Sequence, residues 1–267
     1  MKRVGIVTFH RADNYGAVLQ NYALQKAVGD WCNVETVNYK CDFLEKPYSI
    51  PPFSEVSSNL VKKILNYIRY LCNVKRFYRL CNGFDEFRKK YLKVSRQYNQ
   101  HDLISNSNDF DVYITGSDQV WNDKITNADI VYSLGFETKA KKVSYAASAG
   151  SIQMISGQTL NNISKLDYIS VREKDLQEYL VGIVKKSVSL VVDPVFLLSK
   201  ENWEKLLPKT NKKDKFIFTY SVSEMTEDVV KVARHIARQN HTKIYHMDHS
   251  LKYGARGICK YGASPLE

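Results

Sequence analysis

Short runs rich in Val, Ile, Phe and Tyr recur along the chain, and stretches with helical spacing separate several of them. The runs are 3–9 (RVGIVTF), 33–38 (NVETVN), 111–115 (DVYIT), 142–147 (KVSYAA), 168–171 (YISV), 188–192 (VSLVV), 216–222 (FIFTYSV) and 243–247 (KIYHM). Helical spacing marks 15–29, where Leu19, Ala23, Leu24 and Ala27 share a face, and also 173–181, 201–207 and 225–239. Such alternation points to the α/β class, with a mostly parallel sheet covered by helices. Ligands of such sheets bind beyond the carboxyl ends of the strands.

Polar stretches stand at those ends. After the first run come His10, Arg11, Asp13, Asn14 and Gly16, and then a helix whose amino end favours an anion. After DVYIT comes TGSDQVWN, with Asp118, Gln119 and Trp121 within one turn. SYAASAG (144–150) is small and hydroxyl-rich through Ser144 and Ser148, which suits close backbone approach. SVREKD (170–175) sets Arg172 and Glu173 where a strand hands over to a helix, and an arginine there can grip a carboxylate or phosphate with two parallel hydrogen bonds. VVDP ends on Asp193. Each group also has a structural reading: helix cap and tight turn for Asn14 and Gly16, N-cap for Asp118, surface ion pair for Arg172, turn former for Asp193.

The length of 267 residues suffices for one large domain or two small ones. No C-x-x-C pair occurs among the five cysteines, which are read as buried thiols in a reducing, cytoplasmic setting. No G-x-G-x-x-G and no Walker-type loop is present, so ordinary dinucleotide and P-loop binding are disfavoured. His241, His246 and His249 lie near Asp248, but in a strand His246 and Asp248 share a face that His249 does not, and no metal site is assigned. The net charge of +11 favours anionic partners. Much of it sits in residues 56–94, where ten cations oppose only Asp85 and Glu86 and interleave with Tyr67, Tyr70, Phe77 and Tyr78. That segment reads as a basic helical insertion. It either packs on its own sheet or rests on an anionic membrane at the inner face of the plasma membrane. The polar, Pro-led stretch 208–214 reads as a linker, which divides the chain into 1–207, carrying the insertion, and 208–267.

Together, TFHRADNYGAVLQNYALQ, ITGSDQVWN, SYAASAG, ISVREKD and VVDPVFLLSKENW resemble the polysaccharide pyruvyl transferase family. The resemblance implies a GT-B-like architecture of two Rossmann-like domains, of which the second, 208–267, is incomplete. It implies transfer of a pyruvyl ketal from phosphoenolpyruvate to a sugar of a surface polysaccharide or its lipid-linked precursor. No cofactor is implied, since phosphoenolpyruvate is the donor substrate. Members usually continue through a Ser-Phe-His-Gly-like motif, so the chain alone is expected to lack full activity. The candidate catalytic residues are Asp118 as base, Arg172 as donor contact, Glu173 as alternative acid, and His10. Asn14, Gly16, Gln119, Trp121, Ser144, Ser148 and Asp193 are the candidate substrate contacts. Two other readings stay open: a nucleotide-sugar glycosyltransferase of the same architecture, and a non-enzymatic basic module for membrane or nucleic acid. The polar stretches at strand ends speak against nucleic acid, which has no use for Asp118 or Asn14.

Overall fold

The computed structural model describes residues 1–45, 60–105, 107–207, 215–220, 226–247, 258–260 and 264–266. In chain order the elements are β1 (Arg3–Val7), α1 (Tyr15–Gly29), β2 (Asn33–Tyr39), α2 (Asp42–Glu45), α3 (Leu60–Tyr91), β3 (Val94–Tyr98) and α4 (Gln100–Ser105). They continue as β4 (Val112–Thr115), α5 (Asp123–Thr126), β5 (Lys141–Ser144), α6 (Gly157–Ser164), β6 (Ile169–Val171), α7 (Lys174–Val181), β7 (Val188–Leu190) and α8 (Lys200–Glu204). The last are β8 (Phe216–Tyr220), α9 (Glu227–Gln239), β9 (Lys243–Met247) and β10 (Ile258–Lys260). They form two compact units, Met1–Ser49 with Arg88–Lys205, and Ile50–Phe87 with Leu206–Glu267.

In the first unit a parallel sheet runs β3-β2-β1-β4-β5, and β6 pairs with β7. Single bridges, Val143 to Tyr168 and Ala147 to Val171, join β5 to β6. The fold is therefore mixed α/β and Rossmann-like, with the strand order reversing between β1 and β4, where such sheets bind ligands. The central strand β1 explains the purely apolar run at its heart: Val4, Ile6 and Val7 are buried.

Helix α1 departs from the sequence expectation. Ala23 and Leu24 are buried as anticipated, but Leu19 and Ala27 are only half-buried, while Gln20, Asn21 and Gln25 are buried. These amides hydrogen-bond inward. Gln25 Nε2 donates to Thr36 Oγ1 (3.0 Å) and to the Lys93 carbonyl (2.8 Å), and the Lys93 N–H donates back to Gln25 Oε1 (2.7 Å). Gln25 thereby fixes the entry to β3, a strand the sequence reading did not anticipate.

Helix α3 is the anticipated basic helix, and β3 rather than further helix follows it. The strand read at 142–147 leaves the ladder after Ser144, and that at 188–192 after Leu190. Cys41 is buried, whereas Cys32 and Cys81 are only half-buried; all three are free. The linker at 208–214 and the residues Asp248 and His249 lie outside the described residues. No described helix is long and apolar enough to cross a membrane.

The second unit has its own parallel sheet, β10-β9-β8, with α9 packed on it through Ala233, Ala237 and Ile244. Phe84 of α3 is buried, and a Cβ on Gly83 would lie 2.7 Å from Ser264 Cβ, so only glycine admits that approach.

Replacing Gln25 by Leu strands the Lys93 N–H, and unfolding in urea is expected to show a loss of about 1–3 kcal/mol.

Candidate active site

The site grows from the turn after β4. Gly116 has φ +127°, and a Cβ there would collide with the Tyr145 carbonyl oxygen, so no other residue fits. The Gly116–Ser117 peptide is cis, and Asp118 follows with φ +79°. Asp118 bridges to Ala147, and Ala147 to Val171, so the tips of β4, β5 and β6 draw together beyond their ladders. Arg172 and Asp193 leave the ends of β6 and β7 toward the same rim.

One hydrogen-bonded cluster results. Arg172 Nη1 donates to Asp193 Oδ2 (2.8 Å) and to Ser117 Oγ (3.3 Å), and Ser117 Oγ donates to Asp193 Oδ2 (3.0 Å). Arg172 Nε donates to Glu173 Oε1 (3.0 Å). Nη2 has no hydrogen-bond partner among the described residues, so the guanidinium is held at Nε and Nη1 and open at Nη2. Burial opposes its charge, but the bonds to Glu173 and Asp193 outweigh that and hold its pKa above the ordinary value. Glu173 Oε2 is buried and meets no partner among the described residues. Burial raises the Asp118 carboxyl above its usual pKa, against the Gln119 N–H (2.8 Å) and Arg172, which favour its charge.

His10 stands in a neighbouring cluster on the β2 side. It is 3% exposed, its Nδ1 facing the Thr8 carbonyl and its Nε2 facing Asn38 Oδ1, both at 3.3 Å. Arg11 grips Glu45 through Nε (2.6 Å) and Nη2 (3.1 Å) and donates Nη1 to Asn38 Oδ1 (2.9 Å). A narrow crevice lies there, lined by His10, Arg11, Tyr39, Cys41, Glu45 and Tyr132. Burial lowers the His10 pKa to about 4, partly offset by the bonds to Asn38 and Thr8 and reinforced by Arg11 and Arg88. Arg88, in the last turn of α3, pairs with Asp13 at 2.8 Å.

The remaining candidates have structural partners. Asn14 caps α1, accepting from the Ala17 N–H (3.1 Å), and Gly16 is exposed in the first turn without a left-handed backbone. Trp121 is fully buried in the core. Gln119 Oε1 accepts from Asn122 Nδ2 (2.8 Å) and Ser148 Oγ from the Gly150 N–H (3.0 Å). Ser144 and Ser170 are stitched reciprocally: Ser144 Oγ bonds the Ser170 backbone, and Ser170 Oγ donates to the Ser144 carbonyl (2.7 Å). Asp193 caps the 3-10 turn Pro194–Leu197 with its second oxygen, which accepts from the Val195 N–H (3.0 Å). Among the His residues of the second unit, His246 is buried with Nδ1 at 2.9 Å from Thr219 Oγ1. No described group of His, Cys, Asp and Glu could hold a metal ion.

Sequence reasoning passed over Ser117, a member of the cluster, and Thr8 and Gln20, which bond its backbone. The available signal was the amide-rich helix face in LQNYALQ, polar where an apolar face was read.

The model of the polysaccharide pyruvyl transferase family matches residues 14–259. The chain belongs to that family. It is a transferase, and its function is pyruvyl transfer, with phosphoenolpyruvate as donor, onto a polysaccharide or lipid-linked acceptor. A search of curated proteins gave no match.

His10 also makes a prediction about stability. Its folded pKa of about 4 lies below the ordinary 6.5, so the unfolded chain takes up the proton first as pH falls. The contribution is present above about pH 6.5 and is lost toward about pH 4, about 3 kcal/mol in all. Urea unfolding across that window should show the slope, and His10→Gln should flatten it.

Proposed function

We propose that the rim formed by Ser117–Asp118, Arg172–Glu173 and Asp193 is where the pyruvyl transfer takes place. The observation that carries this is the held guanidinium of Arg172, with Nη2 unpaired. Two carboxylates and a serine hydroxyl fix its orientation, and the free Nη2 suits a carboxylate or phosphate oxygen of phosphoenolpyruvate.

The reaction adds two acceptor hydroxyls across one carbon. A proton reaches the methylene carbon, which becomes a methyl group and leaves an oxocarbenium-like centre beside the phosphate ester oxygen. The first sugar hydroxyl attacks that centre and gives up its proton. The bond to phosphate then breaks, and the second hydroxyl closes the ring and gives up its own proton. One of the two hydroxyl protons balances that taken by the methylene carbon, and the other leaves with phosphate. Asp118 serves as the base, its raised pKa bringing it closer to the proton it must accept. Glu173 is the acid candidate, held beside the donor contact by its Oε1, which accepts from Arg172 Nε. Gln119, next to Asp118, is the group placed to orient sugar hydroxyls, while neutral His10 stands on the β2 side in a supporting cluster. Two parallel sheets with helices in one chain support a GT-B-like reading of the architecture.

Arg172→Lys keeps the charge and loses the fork. Phosphate release from phosphoenolpyruvate in the presence of the acceptor glycan, followed by phosphorus NMR, should fall about 10²-fold or more. Unchanged release overturns the assignment. Asp118→Asn should abolish release and yet unfold no more easily at neutral pH. The sign follows from the raised pKa: ionised Asp118 costs stability above its folded pKa, and asparagine removes that cost.

A peripheral membrane contact is the second part of the proposal, and one feature favours it. Ile64, Tyr67, Ile68, Leu71 and Tyr78 are each about half exposed and fall on one stripe of α3, with exposed Lys75 and Arg79 beside them. From Leu60 to Phe84 the helix holds six cations and no acid. Such a helix suits an anionic bilayer, where a lipid-linked acceptor is held. Vesicles with phosphatidylglycerol should sediment the protein at low salt and release it at high salt, while neutral vesicles should not. Ile68→Glu with Leu71→Glu should abolish the binding.

A further inference from the structure

Directly behind Ser117 lies a closed ring of hydrogen bonds that involves no candidate residue named above except through Ser117 itself. Gln20 Nε2 donates to Thr8 Oγ1 (2.9 Å) and to the Ala17 carbonyl (2.8 Å). Thr8 Oγ1 donates to the Ser117 carbonyl (3.2 Å). The Ser117 N–H donates to Gln20 Oε1 (3.2 Å). Gln20 and Thr8 are each 3% exposed and Ser117 is fully buried, so water does not substitute for any member.

The directions are fixed throughout. Thr8 has a single hydroxyl hydrogen, and it goes to the Ser117 carbonyl. Its oxygen must therefore accept, and only the amide nitrogen of Gln20 can donate to it. That orientation leaves the amide oxygen of Gln20 for the Ser117 N–H. A glutamine satisfies all three demands at once, whereas a carboxylate would set an acceptor against the Ala17 carbonyl and the Thr8 oxygen.

We infer that Gln20 is a positioning residue for the transfer site. Both polar groups of the Ser117 backbone are held from behind by Gln20 and Thr8. The Ser117 side chain, on the front, bonds Arg172 Nη1 and Asp193 Oδ2. Gln20 thus sets the place of Ser117, and through it the aim of the Arg172 edge left open for the donor. This rests on the reading of Arg172 as the donor contact. Position 20 matters on this account because misplacement of a binding group by about 1 Å can cost on the order of 10²-fold in rate.

The test uses the full chain with Gln20→Met, Gln20→Glu and Thr8→Val. Amide hydrogen exchange at Ser117 should quicken at least about tenfold in Gln20→Met, while the amides in the middle of β1 keep their protection. Calorimetric titration with phosphoenolpyruvate should show affinity reduced about tenfold to a hundredfold. Gln20→Met and Thr8→Val should not add in the double variant, because either one opens the ring. Gln20→Glu should bind the donor better at low pH, where the protonated carboxyl can donate to Thr8, and lose it as that carboxyl ionises. Unchanged Ser117 exchange in Gln20→Met overturns the ring as a clamp. Faster exchange with unchanged donor affinity overturns the positioning role. If the unsubstituted chain fails to bind phosphoenolpyruvate, the donor reading of Arg172 falls, and Ser117 exchange alone judges the clamp. Should Gln20→Met fail to fold, Thr8→Val carries the same two readouts.

Discussion

Parallel pairing is the constraint from which the site follows. When β1, β2, β4 and β5 all run the same way, each strand ends on the same rim, and the loops that leave them meet there whatever their separation in sequence. Ser117 and Asp193 are bonded although 76 residues separate them, and Ser117 and Arg172 although 55 do. The bridges from Asp118 to Ala147 and from Ala147 to Val171 extend this pairing past the regular ladders, which is why the rim closes around small residues. A bulkier side chain at Ala147, which is fully buried, would push the strand tips apart.

Charge at the rim is arranged unevenly. Arg172 has Asp193 and Glu173 as direct partners, and Asp118 lies near enough to feel all three. The cation is therefore neutralised on its inner side and keeps only its outer edge for a ligand. The acids crowd one another, which together with burial raises Asp118. On the proposed reading, a cluster with this balance would hold an anion by geometry more than by net charge. On the β2 side the pattern differs: Arg11 is saturated by Glu45 and Asn38, and His10 is neutral, so that cluster is a supporting wall.

Much of this was legible in the sequence. The β-branched and aromatic runs located β1, which is buried along nearly its whole length, and also β2 and β4 to β9, although β7 and β8 keep exposed residues. The polar stretches at their ends located Asp118, Arg172, Glu173 and Asp193, which do come together. Strand β3 escaped because VSRQY lies at the sheet edge, with Arg96 and Gln97 exposed, and so lacks an apolar pattern. The role of Gln20 escaped for the opposite reason. Its amide is buried where a leucine would be expected, and helical periodicity ranks residues by hydrophobicity, not by the backbone groups they can satisfy across 97 residues of chain. Trp121 and Ser144 were drawn toward the site by their neighbours in sequence, but tertiary packing claims the ring and the sheet seam claims the hydroxyl.

The ring behind Ser117 has a consequence for where the chemistry exchanges protons with its surroundings. A glutamine amide and a peptide N–H cannot hand a proton on and take another from behind, so the Gln20–Thr8–Ser117 circuit is a dead end rather than a relay. The back wall is sealed to acid and base alike. On the proposed placement of the transfer, the protons that the ketal reaction moves pass only on the solvent side of the rim, between the acceptor hydroxyls, the carboxylates, the methylene carbon and the departing phosphate.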